Sequence, residues 1–350
     1  MKARNGRTPV TMQDVAQLAG VSVKTVSNVL SDYPHVSATT RERVTIAVAE
    51  LGYTLNVSAR NLRIGRTRVL GLAIPELSQA YFAELADAII RRAGARGYTV
   101  LIEQTLSPAT DEIDTVEIMR RHSIDGLIYS PLSMTASDVR RLDAEFPMVV
   151  LGDRVRGSRA DHVTMANAAA IRAATEHLLG IGRRRIAVIG ARPEGPVGAG
   201  ASRLQGYTGA LETAGIDIDT ALIRSAALWH RADGVRATEE LIADGTDFDG
   251  LVCFNDALAL GAMHALQRHG RTIPDDVAVV GFDDIEDGAF ATPSLTTVSP
   301  RRDEVAETAV GLLVDRLAEG SDRTAPRHVE IGYTMVLRDS TATGTAPGSE

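Results

Sequence analysis

Two parallel, doubly wound α/β sheets in series, behind a small all-α head, are the architecture that this 350-residue chain predicts. Three observations lead to it. The first 68 residues are basic and carry helical periodicity. From Val69 apolar, β-rich runs alternate with helical patterns, and those runs nearly repeat themselves 117 to 129 residues further on. The length agrees, since about 150 residues per domain implies two or three domains. With 44% hydrophobic and 23% charged residues the chain is globular in composition, and no apolar run approaches the roughly 20 residues needed to cross a bilayer, so no membrane partner is expected. The N-terminus MKARNGRTPVTMQDVAQLAG has basic residues but neither an apolar stretch nor a small-residue cleavage site behind them, so the expected location is the cytoplasm. The single cysteine, Cys253, excludes an internal disulfide and a cysteine-based metal cluster, and no cofactor is expected.

The net charge of −8 hides a division. Residues 1–68 hold ten Lys/Arg against four Asp/Glu, while the remaining 282 residues hold 27 against 41. A basic head on an acidic body is the electrostatic footprint of a module that meets phosphates joined to one that need not. Within the head, Thr11 with Asp14 three residues on forms an imperfect capping box, and Val15, Ala16 and Ala19 make the buried face of a first helix. Gly20 permits a tight turn, Ser22 caps a second helix, and Val26, Val29 and Leu30 form its apolar stripe. Val23, Lys24, Ser27 and Asn28 are left on the opposite face. A third helix follows Ser37, with Val44, Ala47, Val48 and Leu51 at helical spacing and Gly52 at its end. A glycine turn between two short helices is what a helix-turn-helix requires.

The ungapped stretch VTMQDVAQLAGVSVKTVSNVLSDYPHVSATTRERVTIAVAELGYTLNVSARNL resembles the head and hinge of the lactose-repressor (LacI/GalR) family. That resemblance implies a second helix in the major groove, with Val23, Lys24, Thr25, Ser27 and Asn28 at or near base edges and phosphates, and with Thr11 and His35 among the further DNA contacts. Asn28 could pair bidentately with adenine. A solvated helix face is the other reading of each polar residue. The stretch Asn56-Val57-Ser58-Ala59-Arg60-Asn61-Leu62 resembles the family's hinge helix, which folds on DNA and wedges a leucine into the minor groove. Leu62 stands at that position, with Ala59 and Arg60 beside it, and Leu55 replaces the family's usual proline.

In the body, VLGLAIP at 69–75 answers IAVIGA at 186–191, DGLIYSP at 125–131 answers DGLVCFN at 249–255, and PMVVLGD at 147–153 answers DVAVVGFDD at 276–284. Two similar lobes in series leave such a trace, and ligands of these sheets sit beyond the carboxyl ends of the strands, in the cleft between lobes. Ser202-Arg203-x-x-Gly206-Tyr207, CFNDALALGA, VVGFDD and PSLTTV together resemble the same family's periplasmic-binding-protein-like core. The resemblance implies Arg203 and Asp256 as paired anchors of a polar effector, Asn255 as the more structural neighbour, Asp153 and Asp283 pointing into the cleft, and Trp229 near a ring-stacking position. Asp256 acting as a helix cap, Trp229 as plain core, and Tyr81 and Phe82 as packing instead of cleft lining are the alternatives.

Enzyme signatures fail one by one. Gly180-Ile181-Gly182 precedes a strand where a dinucleotide loop follows one, no Walker loop, G-x-S-x-G elbow or H-E-x-x-H is present, and the eight histidines lack metal spacing. The expected organisation is a helix-turn-helix domain over 1–55, a hinge and linker over 56–68, an effector-binding core over 69–340, and a disordered tail over 341–350. Within the core the first lobe is expected to take about 69–162 plus 292–322 and the second about 163–291 plus 323–340. The expected function is a repressor of carbohydrate-utilisation genes, a homodimer on a pseudo-palindromic double-stranded operator, released by a sugar-type effector. A purine- or nucleoside-dependent corepressed form is the alternative, a plain solute-binding protein a more distant one. The tail lacks a leucine heptad, which favours a dimer over a tetramer.

Overall fold

The computed structural model describes residues 10–31, 33–53, 66–105, 109–122, 124–132, 146–153, 160–191, 198–319 and 325–342, and divides into two compact units, Met1–Thr67 and Arg68–Glu350. The smaller unit holds α1 (Met12–Ala19), α2 (Val23–Leu30) and α3 (Ala38–Leu51). Each starts on a hydroxyl cap, because the first N–H groups of a helix lack intrahelical partners. The Thr11 hydroxyl accepts from the Asp14 N–H at 3.3 Å while Asp14 accepts from the Thr11 N–H at 2.8 Å, completing the capping box; these bonds hold the Asp14 carboxyl below its usual range. Ser22 and Ser37 cap α2 and α3 in the same way. Gly20 and Gly52, at φ 63° and 62°, end α1 and α3 in the left-handed conformation that glycine adopts without strain. Val15, Ala16, Ala19, Val26, Val29, Val44 and Ala47 close the small core, and the Arg43 guanidinium donates to the Ala19 carbonyl at 2.6 Å, tying α3 to the end of α1.

The larger unit runs β1 (Val69–Ile74), α4 (Ala80–Ala95), β2 (Thr99–Gln104), α5 (Ala109–Arg121), β3 (Gly126–Tyr129), β4 (Met148–Leu151), β5 (Asp161–Met165) and α6 (Asn167–Gly180). It continues with β6 (Ile186–Ala191), α7 (Ala199–Thr213), β7 (Ile223–Ser225), α8 (Arg231–Ala243), β8 (Gly250–Cys253), α9 (Asp256–Arg268), β9 (Ala278–Phe282) and α10 (Glu286–Ala289), then β10 (Thr296–Ser299), α11 (Arg302–Glu319), β11 (His328–Ile331) and β12 (Thr334–Val336). The strands form two sheets, ordered β2-β1-β3-β4-β5-β11 and β7-β6-β8-β9-β10-β12. The runs that answer each other in sequence occupy the same places, β1 with β6, β3 with β8 and β4 with β9. The two sheets differ at their last strand: β11 runs parallel to β5, whereas β12 runs antiparallel to β10. β3, β4, β6, β8 and β9 are buried throughout, as expected of apolar strands covered on both faces. No helix among the described residues is long and apolar enough to cross a membrane.

Two expectations are corrected. Residues 292–322 were expected together in the first lobe and 323–340 in the second. Instead β10 joins the second sheet beside β9, its near neighbour in sequence, and the chain crosses to the first lobe only at α11. It stays there for β11 and returns for β12. The first crossing likewise falls after β5, which extends to Met165 and not to 162. The core also reaches past its expected end at 340 to Thr341. Ser340 and Thr341 are buried, Ser340 Oγ donates to the Val279 carbonyl at 2.6 Å and Thr341 Oγ1 lies 2.9 Å from His177 Nε2. Residues 343–350 lie outside the described residues, as do Ala59, Arg60 and Leu62 of the expected hinge.

The helices of the second lobe approach to backbone contact through glycine. A Cβ on Gly261 of α9 would stand 2.0 Å from the Arg231 carbonyl oxygen, and one on Gly234 of α8 would stand 2.2 Å from that of Leu258. Neither oxygen is a flexible side-chain end, so α8 and α9 must separate to admit a methyl group. Gly261→Ala is expected to lower the stability of the core by about 1–3 kcal/mol despite alanine's better helix propensity, read as a lower urea midpoint at unchanged slope.

Candidate functional site

In the larger unit the carboxyl ends of the two sheets face a cavity of about 140 Å³. Arg203 reaches it from α7 and is only 2% exposed. Its Nε donates to Asn167 Oδ1 at 2.7 Å, its Nη1 donates to the Phe254 carbonyl, and Asn167 Nδ2 donates in turn to Asp153 Oδ2 at 2.9 Å. The guanidinium lies 3.6 Å from the centre of the Phe282 ring and 5.2 Å from that of Trp229, so two aromatic faces replace the water that burial removes. Burial pulls the Arg203 guanidinium below its ordinary value, and Asp283, Tyr81, Asp153 and Asp256 oppose that pull.

Asp283 follows β9 with φ at 119°, and Asp284 at 53° continues the left-handed path, an uncommon backbone for residues with a Cβ. The Asp283 carboxyl lines the cavity and is pushed up to about 7 by burial, against the attraction of Arg203 and Arg302. Trp229, at φ 60°, also lines the cavity: its indole N–H donates to the Gly190 carbonyl at 2.9 Å and its ring meets Phe254 edge-on at 5.9 Å. Tyr81 and Phe82 enter from the first turn of α4, edge to face at 5.2 Å, and both line the cavity. Two contacts cross the mouth: Gln79 Nε2 donates to the Leu228 carbonyl at 3.2 Å, and Glu76 Oε2 lies 2.7 Å from His230 Nε2.

The structure thus brings Tyr81, Phe82, Asp153, Arg203, Trp229, Asn255 and Asp283 together around one cavity. It does not bring Asp256 there, which is a correction. Asp256 is fully buried beneath the Asp283 turn, where its Oδ2 accepts from the Ile285 N–H at 3.0 Å and its Oδ1 from the Thr297 hydroxyl at 2.6 Å. Burial raises its carboxyl well above the usual range. Nor is Asp256 the helix cap. Asn255 is, its Oδ1 accepting from the Leu258 N–H at 2.9 Å while its amide donates to the Trp229 carbonyl at 3.0 Å. The expected roles of this pair are therefore exchanged. Sequence reasoning also missed Asn167, Phe282, Met165, Gln79 and, at the start of α7, Gly198 to Ala201. Asn167 stood in plain view at a helix start, and the question of what a buried arginine hydrogen-bonds to would have found it. No histidine, lysine or cysteine is among the described residues lining the cavity. The arrangement offers a forked cation, carboxyl groups and a side-chain amide beneath aromatic and aliphatic walls, which suits binding of a polar molecule with a flat face.

In the smaller unit Val23 and Lys24 are exposed at the start of α2, and Thr25, Ser27 and Asn28 lie half-buried along it. Thr25 Oγ1 stands 2.9 Å from the capping Ser22 hydroxyl, and Thr11 caps α1. His35 meets Tyr33 edge to face at 5.4 Å in the turn before α3.

Both units have counterparts among known proteins. A family model described as bacterial regulatory proteins, lacI family, matches residues 11–56, and a periplasmic binding protein-like domain matches 175–341. The HTH-type transcriptional repressor PurR of Erwinia tasmaniensis is 30% identical over 337 residues, covering 95% of this chain and 97% of that protein. The structure of the Lac repressor dimer bound to operator and the anti-inducer ONPF superposes with a TM-score of 0.84 at 27% identity, over 96% of this chain and all of that one. That of the transcriptional regulator CelR with cellobiose does so with a TM-score of 0.70 at 30% identity, over 95% and 99%. With a helix-turn-helix head, a two-sheet core and a relative matched along nearly its whole length, this chain belongs to the LacI family of bacterial transcriptional regulators.

Proposed function

We propose that the chain is a cytoplasmic, non-enzymatic repressor that grips a pseudo-palindromic operator as a homodimer and releases it when a sugar-type effector occupies the cavity between its lobes. The observation that carries this reading is the buried ladder Asp153–Asn167–Arg203 beside Asp283, under the Trp229 ring: fork and carboxyls match hydroxyls, and the ring matches the apolar face of a pyranose. The complexes of CelR with cellobiose and of the Lac repressor with operator and ONPF support it by likeness. On DNA, α2 enters the major groove with Lys24 and Asn28 at base edges and Val23 against a thymine methyl; Thr25, Ser27, Thr11 and His35 contact the backbone, while Ala59, Arg60 and Leu62 serve the hinge in the minor groove. A purine or nucleoside is the second reading, favoured by the three rings of Tyr81, Phe82 and Trp229 around a largely aliphatic cavity.

The test is selection of bound duplexes from a random pool by the full-length protein, followed by a panel of mono- and disaccharides, purine bases and nucleosides on the selected operator. A sugar that weakens operator binding at least about 10-fold supports the first reading. Tightening by a purine supports the second, and indifference to the whole panel removes the sensor from both.

A further inference from the structure

The turn that carries Asp283 belongs to the second lobe, yet part of its support comes from the first. Arg302 opens α11 immediately after the chain has crossed between lobes. Its Nη1 donates to the Asp283 carbonyl at 3.1 Å and approaches the Asp284 carbonyl at 3.5 Å, while its Nη2 pairs with Glu84 Oε2 at 2.5 Å. Glu84 lies on α4, the helix that delivers Tyr81 and Phe82 to the cavity, and its other oxygen accepts from the Glu286 N–H at 3.1 Å. One arginine and one glutamate of the first lobe thereby hold both ends of a four-residue segment of the second. Arg302 and Glu84 are about three-quarters withdrawn from solvent, where such bonds are weakened less by water.

The segment needs holding. Asp283 and Asp284 at φ 119° and 53° persist only where their surroundings over-determine them. From the second lobe the supports are Val298, whose carbonyl accepts from the Asp283 N–H at 2.9 Å, Asp256 on the Ile285 N–H, and Arg338 on Asp284 Oδ1 at 2.7 Å. Those would travel with the turn if the lobes moved. The Arg302–Glu84 grip would not.

We propose that Arg302 and Glu84 are positioning residues for effector recognition: they clamp the Asp283–Glu286 turn across the lobes, so that the aim of the Asp283 carboxyl depends on the lobe angle. The proposal rests on the reading of the cavity as the effector site, and its test uses no effector, so the clamp can fail while that reading stands. Arg203, Arg302, Glu84, Asp256 and Tyr81 are the ionisable groups facing Asp283 from the surrounding elements, and Asp153 lines the same cavity.

The experiment has two arms on the full-length protein. In the first, amide hydrogen exchange over 283–288 is expected to quicken at least about 10-fold in Arg302→Gln and Glu84→Gln, with β9 and the Arg301→Gln control unchanged. In the second, Trp229, the single tryptophan, reports the cavity, and Asp283→Asn identifies the component of its fluorescence titration that belongs to Asp283. Removing the Arg302 cation is expected to move that midpoint up by about half a unit or more, and removing the Glu84 anion to move it down. Opposite shifts are the signature of two charges held against one carboxyl, whereas general loosening moves both midpoints the same way. Unchanged exchange over 283–288, or midpoints that move together, overturns the clamp.

Discussion

An Arg203→Met protein is expected to fold and to bind DNA as the wild type does, while its affinity for the effector falls at least about 100-fold. Methionine replaces the apolar stem of the arginine between Phe282 and Trp229, so the packing loss is modest. The guanidinium has no substitute. Without it the Phe254 carbonyl and Asn167 Oδ1 lose their buried donor, and Asp153 and Asp283 lose the cation between them. A ligand must then meet uncompensated acceptors in a site that excludes water, where truncating one partner of a buried charged cluster costs about 2–5 kcal/mol. Stability against pH gives a second readout. Between the ordinary value of 3.8 and about 7 the folded protein holds a proton on Asp283 that the unfolded chain has released. Stability therefore falls as pH rises through that window. Arg203 pulls the Asp283 value down, so in Arg203→Met the falling limb extends to higher pH. Isothermal titration with the effector found in the panel, and urea midpoints from pH 4 to 8, check the two halves. An effector affinity within a few-fold of wild type removes Arg203 from the site.

What could be read from sequence followed from how local the determining physics was. The head was legible because caps, glycine stops and helical stripes act within a few residues, and Thr11, Ser22, Gly20 and Gly52 each do what their spacing predicts. The two sheets were legible because the same order of strands left the same order of apolar runs. The exchange between Asn255 and Asp256 was not legible, because adjacent residues differ there only in backbone path. Asn255 is extended at φ −151°, lines the cavity and caps α9, whereas Asp256 lies in the first turn of α9 and finds its partners at Ile285 and Thr297, 29 and 41 residues away. The assignment of β10 and β11 to lobes failed for a related reason. Period-two alternation announces a strand but not its sheet, and β11 is placed by an ion cluster whose members lie 155 and 166 residues from Asp161. Arg302 was passed over because a charged residue at a helix start is ordinarily a solvated one, and only the fold shows which carbonyls it meets.

That ion cluster sets the largest expected loss of stability, in Asp161→Ala. Asp161 is fully buried at the start of β5. Its carboxyl accepts from Arg316 Nε and Nη2 at 2.9 and 2.5 Å, and from Arg327 Nη2 and backbone N–H at 2.8 and 2.7 Å. Arg316 belongs to α11 and Arg327 leads into β11, so one carboxylate fastens the strand that returns to the first sheet before the last crossing between lobes. Burial alone would raise the Asp161 carboxyl, but the bonds from Arg316 and Arg327 prevail and hold it below the ordinary range. Alanine takes the buried carboxylate away from Arg316, 8% exposed, which keeps Glu319 Oε2 at 3.3 Å and the Ala325 carbonyl at 2.9 Å; breaking a buried pair costs about 3–5 kcal/mol, where an exposed pair would cost less than about 1, and Glu319 places the expected loss toward the lower end. The sign with pH is opposite to that of Asp283. A depressed carboxyl stabilises the fold above its unfolded value of 3.8, and that stabilisation is lost as pH falls through the native value, so the wild type loses stability in acid more steeply than Asp161→Ala does. The double variant Asp161→Ala, Arg316→Met removes the buried cation as well and is expected to recover part of the loss, separating the cost of burying Arg316 without Asp161 from the worth of the pair. Urea unfolding at pH 7 and at steps from pH 4 down to pH 2 decides it. A loss below about 1 kcal/mol at pH 7 would mean that water reaches Arg316 in solution and that β11 is held by its sheet bonds alone.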